Sequence, residues 1–451
     1  MKSVIIDRRT LLAIGAVGAA MAKFCTPGVA QVSVPEATTL FTNVDIFDGR
    51  SETRAESMSL LVEGNRVAKI ATSISAPPDA TVIDGKGHTL MPGIIGAHEH
   101  VMLQLSYAEF YSVDDRYFAI VATQTAKTYL MNGWTSIRDA GGNTFSLKKA
   151  IDNGVIPGPR IFPSGTMISQ TGGHCDHSLD NEPSRLIGGE PDPAVRFGDC
   201  AVVDGVPEVL EAARDNLRRG ATQIKIAVGG GFGSFADPLE VVQFTPEEIR
   251  AAVQAAEDYK TYVMAHIYNN DGIKRAIENG VKCIEHGNLV DEPTLRLMKE
   301  KGIWLSPQVI TFATEPIGLN AEQKRKHAEA FAGIDNMFTL TKKIGFDKIA
   351  FGSDIITDPN LIARMNEEFT FRSKWFSPVE ILRQATSLSG EMLGLSKRFN
   401  PGKLGVIEEG ALADILLVNG NPLTDLSLLT KPEENLALIM KDGRIYKNMI
   451  S

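Results

Sequence analysis

Between Gly93 and about Leu395 the chain repeats one alternation eight times, a short apolar run of strand-like composition followed by a longer stretch of helical patterning. The runs are "IIGAHEH", "WTSIRDA", "RIFPSG", "TQIKIAV", "TYVMAHI", "VKCIEHG", "IWLSP" and "KIAFGSD". Strands that are apolar on both faces are buried on both, and intervening helices impose parallel pairing because each connection must cross the sheet. Eight such units predict an α/β protein whose residues 93–395 close into a (β/α)8 TIM barrel, with an open doubly wound sheet as the alternative. Before them, "TLFTNVDIFDG", "SMSLLVEGNRVAKIA" and "ATVIDGKGHTLMPG" alternate in short turns-and-strands rhythm, which "GVIEEGALADILLVNG" and "ALIMKDGRIYKN" resume after Gly402. Segments 31–92 and 396–451 are therefore expected to share one small β-sandwich domain.

A barrel keeps its working face at the carboxyl ends of its strands. The chain places imidazoles there. In "MPGIIGAHEH", His98 and His100 share one face of an extended segment while Glu99 takes the other. His266 ends the fifth run, His286 the sixth, and Asp354 follows the eighth, so four of only eight histidines sit at such ends. One histidine at a strand end can simply cap a carbonyl, but imidazoles and a carboxylate converging on one mouth form a donor set for zinc or a similar ion. Lys225, in "QIKIAV", lies inside a buried run where its charge must be desolvated. It is read as salt-bridged, as catalytic, or as a carbamate made with carbon dioxide that bridges two cations.

Other classes are excluded by what is missing. With a formal charge of −9 and a pI near 5.5, the chain has no basic stripe for nucleic acid or an anionic membrane. It offers no GxSxG elbow for a serine mechanism, and "AVGGGFGS" lacks the Lys-Ser pair of a phosphate loop, so it reads as a loop beside the fourth strand. Residues 1–30 carry Lys2, Arg8 and Arg9 ahead of an apolar run from Leu11 to Ala22 and then Gly28-Val29-Ala30, which predicts a twin-arginine-like export signal to the periplasm or beyond, with an ordinary secretory signal as alternative. The mature chain then starts at Gln31 and needs no membrane. Of its cysteines, Cys175 and Cys200 are open to pairing or to remaining thiols, and Cys283 reads as a buried strand residue.

The ordered set "MPGIIGAHEH", "GWTSIRDAGG", "GATQIKIAVGGG", "VMAHIYN", "CIEHG", "FGSD" and "GVIEEGALADILLV" resembles the amidohydrolase superfamily through most of the mature chain. Within it the chain is most similar to the binuclear branch of prolidase-like and other carboxypeptidase-like dipeptidases, which includes bacterial amidohydrolases that cleave ochratoxin A into phenylalanine and ochratoxin α. The resemblance implies two divalent ions, with zinc as first choice. His98, His100 and Asp354 would hold the more buried one, His266 and His286 the outer one, and Lys225, as a carbamate, both. His174 in "SQTGGHCDH" and Tyr268 in "AHIYN" would orient the substrate. Two ions roughly 3.5 to 4 Å apart activate one water between them, and Asp354 would shuttle its proton to the leaving nitrogen. The expected substrate is a small molecule or dipeptide-like compound with a hydrophobic residue at its C-terminus; the expected assembly is a homo-oligomer. Two departures stand out: Gly96 where many relatives carry Asp, and "SDIITDPN" without the further histidine many have after the eighth strand. Two other readings stay open, a one-metal hydrolase of cyclic amides or heterocycle deaminase resembling imidazolonepropionase, and a periplasmic metal- or solute-binding protein without catalysis.

Overall fold

The computed structural model describes residues 38–450, positions 111, 180 and 317 excepted. The expected export signal lies outside the described residues. Among these, no helix is long and apolar enough to cross a membrane.

The two ends of the described residues meet in one eight-stranded sheet. The N-terminal side supplies β1 (Thr38–Ile46), β2 (Ala55–Glu63), β3 (Arg66–Ala71), β4 (Thr81–Asp84) and β5 (Thr89–Pro92). Its C-terminal partner strands cover Ile415–Val418, Leu436–Lys441 and Arg444–Asn448. The join is antiparallel, pairing Leu90 with Leu417 and Met91 with Leu416. Phe41, Leu60, Val62, Ile415 and Leu438 alternate inward from these strands into a shared apolar cluster, as a period of two requires.

The central part is parallel. β6 (Ile94–Glu99), β7 (Trp134–Asp139) and β8 (Arg160–Pro163) form one sheet, and β9 (Met167–Ser169), β10 (Cys200–Val202), β11 (Ile224–Ala227), β12 (Val263–Ile267), β13 (Cys283–His286) and β14 (Trp304–Ser306) form a second, in the order β10-β9-β11-β12-β13-β14. Every residue of β6, β7, β8, β11, β12 and β13 is buried, which is why these runs read as continuously apolar. Helices return the chain between them, and their ends are written locally. Thr245 and Glu248 form a capping box with Pro246 in the first turn of Pro246–Asp258, and Asn320 and Gln323 do the same for Ala321–Ile344.

Two features differ from the sequence expectation. β9 and β10 were not anticipated; three residues each are too few for an alternation to register. The eighth run, "KIAFGSD", forms no strand of its own and makes a single bridge, Leu305 to Ile349. Ala350 N–H still donates to Leu305 O (2.9 Å), Ala97 N–H to Phe351 O (2.6 Å) and Asp354 N–H to His98 O (3.0 Å). The ladder stops because Ser353 N–H turns to Glu99 Oε1 (2.9 Å) and Asp354 enters the left-handed region at φ 50. Cys175, Cys200 and Cys283 are free and buried.

Candidate active site

The carboxyl ends of β11, β12 and β13 are held in register: Lys225 opposes Met264, Ala227 opposes His266, and Ile267 opposes His286. This puts His98, His100, Lys225, His266, His286 and Asp354 around one cavity of about 100 Å³, with His174 and Tyr268 in its wall. His98, His100 and Asp354 are the tightest group, each offering a ligand atom within 4.8 Å of the others. Asp354 Oδ1 lies 3.3 Å from both His98 Nε2 and His100 Nε2, and Lys225 Nζ lies 3.4 Å from His98 Nε2. His266 and His286 stand beside this group, their ring centroids 4.6 Å apart, with Asp354 Oδ2 3.7 Å from His286 Nδ1.

Each of the four imidazoles gives one nitrogen to a protein acceptor, which determines where its lone pair points. His98 Nδ1 faces Glu285 Oε2 (2.7 Å) and His100 Nδ1 faces Gly141 O (3.1 Å). His266 Nε2 faces Gly230 O (3.1 Å), and His286 Nδ1 faces Gln308 Oε1 (2.8 Å). Gln308 cannot turn its amide over, because its Nε2 donates to Ser306 O at 2.7 Å. The opposite nitrogens, His98 Nε2, His100 Nε2, His266 Nδ1 and His286 Nε2, are the ones left for a cation; those of His98 and His100 lie against Asp354 Oδ1, and that of His98 also against Lys225 Nζ.

Electrostatics support the same state. Burial, and then the charge of Lys225, holds His98 well below the usual imidazole range, and burial brings His286 down to about 4. Burial also lowers the Lys225 amine, against the opposing pull of Glu285 and Asp354. Burial would raise the Asp354 carboxyl, yet the neighbouring histidines outweigh it and keep the group ionised. Neutral imidazoles at His98 and His286, an ionised carboxylate and a lysine driven toward its free amine are donors that fit a divalent cation. His286 (φ 73) and Asp354 (φ 50) both occupy the left-handed region, a cost that surrounding contacts must sustain.

Several residues that build this site were not singled out from sequence. Glu285 couples His98 to Arg138, whose Nη2 donates to both its oxygens (2.7 and 2.8 Å) and whose Nε donates to Ala97 O. A carboxylate in the buried run "CIEHG" was the available signal, since it must be paired. Glu99 faces away from the cavity, as the alternation requires, and accepts from Tyr129 and Ser353; burial pushes it up to about 8. Gly96 is explained by space: a Cβ there would lie 2.5 Å from the Trp134 ring and 2.7 Å from Glu99 Oε1, so the aspartate of many relatives has no room.

Residues 89–451 match the amidohydrolase family model. Ochratoxinase of Aspergillus niger is 31% identical over 388 residues, 79% of this chain and 75% of the relative. Among solved structures, a prolidase complexed with N-methylphosphonate-L-proline superposes with a TM-score of 0.85 at 34% identity, over 91% of this chain and 100% of the other. A Xaa-Pro dipeptidase with bound methionine in its active site gives 0.80 at 31%, over 91% and 100%. A buried His-His-Asp cluster able to hold a metal, beside the carboxyl ends of parallel strands and within this similarity, has one family assignment: the chain belongs to the amidohydrolase family, as a hydrolase of carbon–nitrogen bonds with prolidase- and ochratoxinase-like relatives.

Proposed function

We propose that the protein is a metal-dependent hydrolase of the amide or peptide bond that precedes a C-terminal hydrophobic amino acid, in dipeptides or N-acyl amino acids such as ochratoxin A. The observation that carries this reading is one cavity lined by the imidazoles of His98, His100, His266 and His286 together with Lys225, Asp354, His174 and Tyr268. His98, His100 and Asp354 would hold one divalent cation, His266 and His286 a second, and Lys225, after its amine takes up carbon dioxide, both; zinc suits the donors. Bound there, such ions supply Lewis acidity toward a carbonyl and lower the pKa of water. Asp354 Oδ2, the oxygen not shared by His98 and His100, receives the proton of the attacking water and returns it to the leaving nitrogen. Tyr268, whose hydroxyl burial keeps protonated, and His174 face the terminal carboxylate, while Phe232, Leu319 and Ile356 line the apolar side.

The scaffold belongs to the proposal. Residues 93–395 are taken as a closed (β/α)8 barrel, supported by the bonds from Ala97 and Leu305 to the segment 348–351. Segments 31–92 and 396–451 are taken as a β-sandwich beside it, residues 1–30 as an export signal to the periplasm, and the mature enzyme as a homo-oligomer. The compactness of His98, His100 and Asp354 favours a second reading with a single ion and no carbamate.

The full chain loaded with zinc and bicarbonate is assayed for amino acid release from ochratoxin A, N-acyl-phenylalanine and simple dipeptides, before and after chelation, with metal counted by mass spectrometry. Two ions per chain and release abolished by chelation are expected, and Lys225→Ala should lose one ion and most of the rate. One ion with full activity in Lys225→Ala selects the one-metal reading. A metal-loaded chain releasing no amino acid from any of these overturns the assignment.

A further inference from the structure

His174 is held by more groups than a wall residue needs. Its ring stacks on His266 with centroids 3.8 Å apart and planes 10° apart. On the other side it lies against the backbone of Gly231, where a Cβ would sit 2.0 Å from both Nδ1 and Cε1. Its Nδ1 is 2.9 Å from Ser234 Oγ and 3.5 Å from Asp237 Oδ2. Because the Ser234 hydroxyl donates to Gly231 O (3.3 Å), both groups facing Nδ1 are acceptors. Nδ1 therefore carries the hydrogen, and Nε2 is the ring nitrogen left for the cavity.

Ser234 and Asp237 belong to the loop after β11, and that loop is tied to a distant helix. Lys326, on Ala321–Ile344, donates from Nζ to Ser234 O (2.8 Å) and Asp237 O (3.2 Å) and stands 3.7 Å from Asp237 Oδ1. Gln323, one turn earlier, donates to Gly233 O at 2.7 Å. The Lys326 and Asp237 side chains are 1% and 0% exposed, and Asp237 Oδ2 also accepts from Gly231 N–H at 2.8 Å. A buried ion pair is costly to desolvate and adds little stability over apolar packing of the same volume. What this pair does provide is geometry, since it fixes both acceptors of His174 Nδ1.

We propose that Lys326 and Asp237 are positioning residues for amide hydrolysis: the ammonium from the helix anchors Asp237 and the loop, and Asp237 with Ser234 fixes His174 so that Nε2 meets the polar end of the substrate. This rests on His174 touching substrate, as proposed above. Neither residue is among the candidate metal donors, so their effect is separable from metal loading.

The test uses the full metal-loaded chain and the variants Asp237→Asn, Lys326→Met and Lys326→Arg, with His174→Gln to assign the His174 signals. Long-range nitrogen–proton correlation spectra should show the Nδ1-protonated pattern for His174 in the wild type and Lys326→Arg, and its loss in Asp237→Asn. With N-acyl-phenylalanine, KM should rise about tenfold or more in Asp237→Asn and Lys326→Met while kcat changes less than about threefold. Metal content should stay at the wild-type value, and Lys326→Arg should restore KM. An unchanged Nδ1-protonated pattern in Asp237→Asn, or a KM within about twofold of wild type, overturns the proposal. Should Lys326→Met not fold, Asp237→Asn, which preserves volume, decides it. If the wild type cleaves no such substrate, the functional reading falls while the spectra still judge this one.

Discussion

His98 is bound at both ring nitrogens by opposite demands: Nδ1 is given to Glu285, and Nε2 is turned to Asp354 and Lys225. Glu285 is shared with Arg138, and both side chains are fully buried. Glu285→Gln should weaken metal binding roughly 10- to 100-fold, because the ring loses the carboxylate that fixes its tautomer. It should also lower stability by about 3 kcal/mol by leaving the Arg138 charge unpaired. Metal titration and urea unfolding check both, and an unaltered metal affinity would remove Glu285 from the site. A second buried carboxylate, Asp199, which is not among the candidate metal donors, sets a pH dependence of its own. Burial pushes it up to about 7, a bond from Asn143 N–H offsets part of this, and Asp192 adds to it; its Oδ2 has no hydrogen-bond partner. The folded chain thus keeps a proton that the unfolded chain releases near 3.8. The resulting stability is complete below that value and is lost as pH rises through about 7. Asp199→Asn should flatten this slope and be the more stable protein at alkaline pH, as read by unfolding across the window; an unchanged slope would refute it. The His-x-His pair was legible because its message is local, whereas Glu285 acquires its meaning from His98, 187 positions away in the sequence.

The strands have two ends with two tasks. At or near their carboxyl ends stand the candidate metal donors, and their amino ends meet the sheet built from segments 38–92 and 415–448. There Arg160, first residue of β8, binds Asp414 and Asp442, Gly93 N–H donates to Asp414 O (2.9 Å), and Lys441 Nζ donates to Gly158 O (2.8 Å). Arg160 and Asp414 are buried, so Arg160→Leu should cost about 3 kcal/mol in unfolding free energy. Because the change lies at the end of the strands opposite the cavity, metal stoichiometry and kcat should remain those of the wild type. Loss of metal in that variant would show that the two ends are coupled. At this scale the periodicity of the apolar runs was readable, since burial on both faces leaves its mark on each residue of a strand. The eighth run misled because its last residues turn away to serve Glu99 and the cavity, which composition does not record.

As a whole, the molecule is acidic, encloses its candidate site in a cavity lined by buried side chains, and has one sheet made jointly by the two ends of the described residues. A β-sandwich shared by two separated stretches was expected from their common short rhythm, of which the structure shows one joint sheet, and the α/β class was expected from runs alternating with helices. The amino acid sequence by itself determined these things, together with the kinds of donor available, because strand periodicity, helix caps and ligand chemistry are properties of a residue and its near neighbours. Only the tertiary structure decided which nitrogen of each site histidine is given to a backbone or side-chain acceptor, that Glu285 and Arg138 stand behind His98, and that a lysine on a far helix holds the loop beside His174. Those facts depend on distances between groups 22 to 187 positions apart in the chain, and such distances exist only once packing has fixed every element against the others.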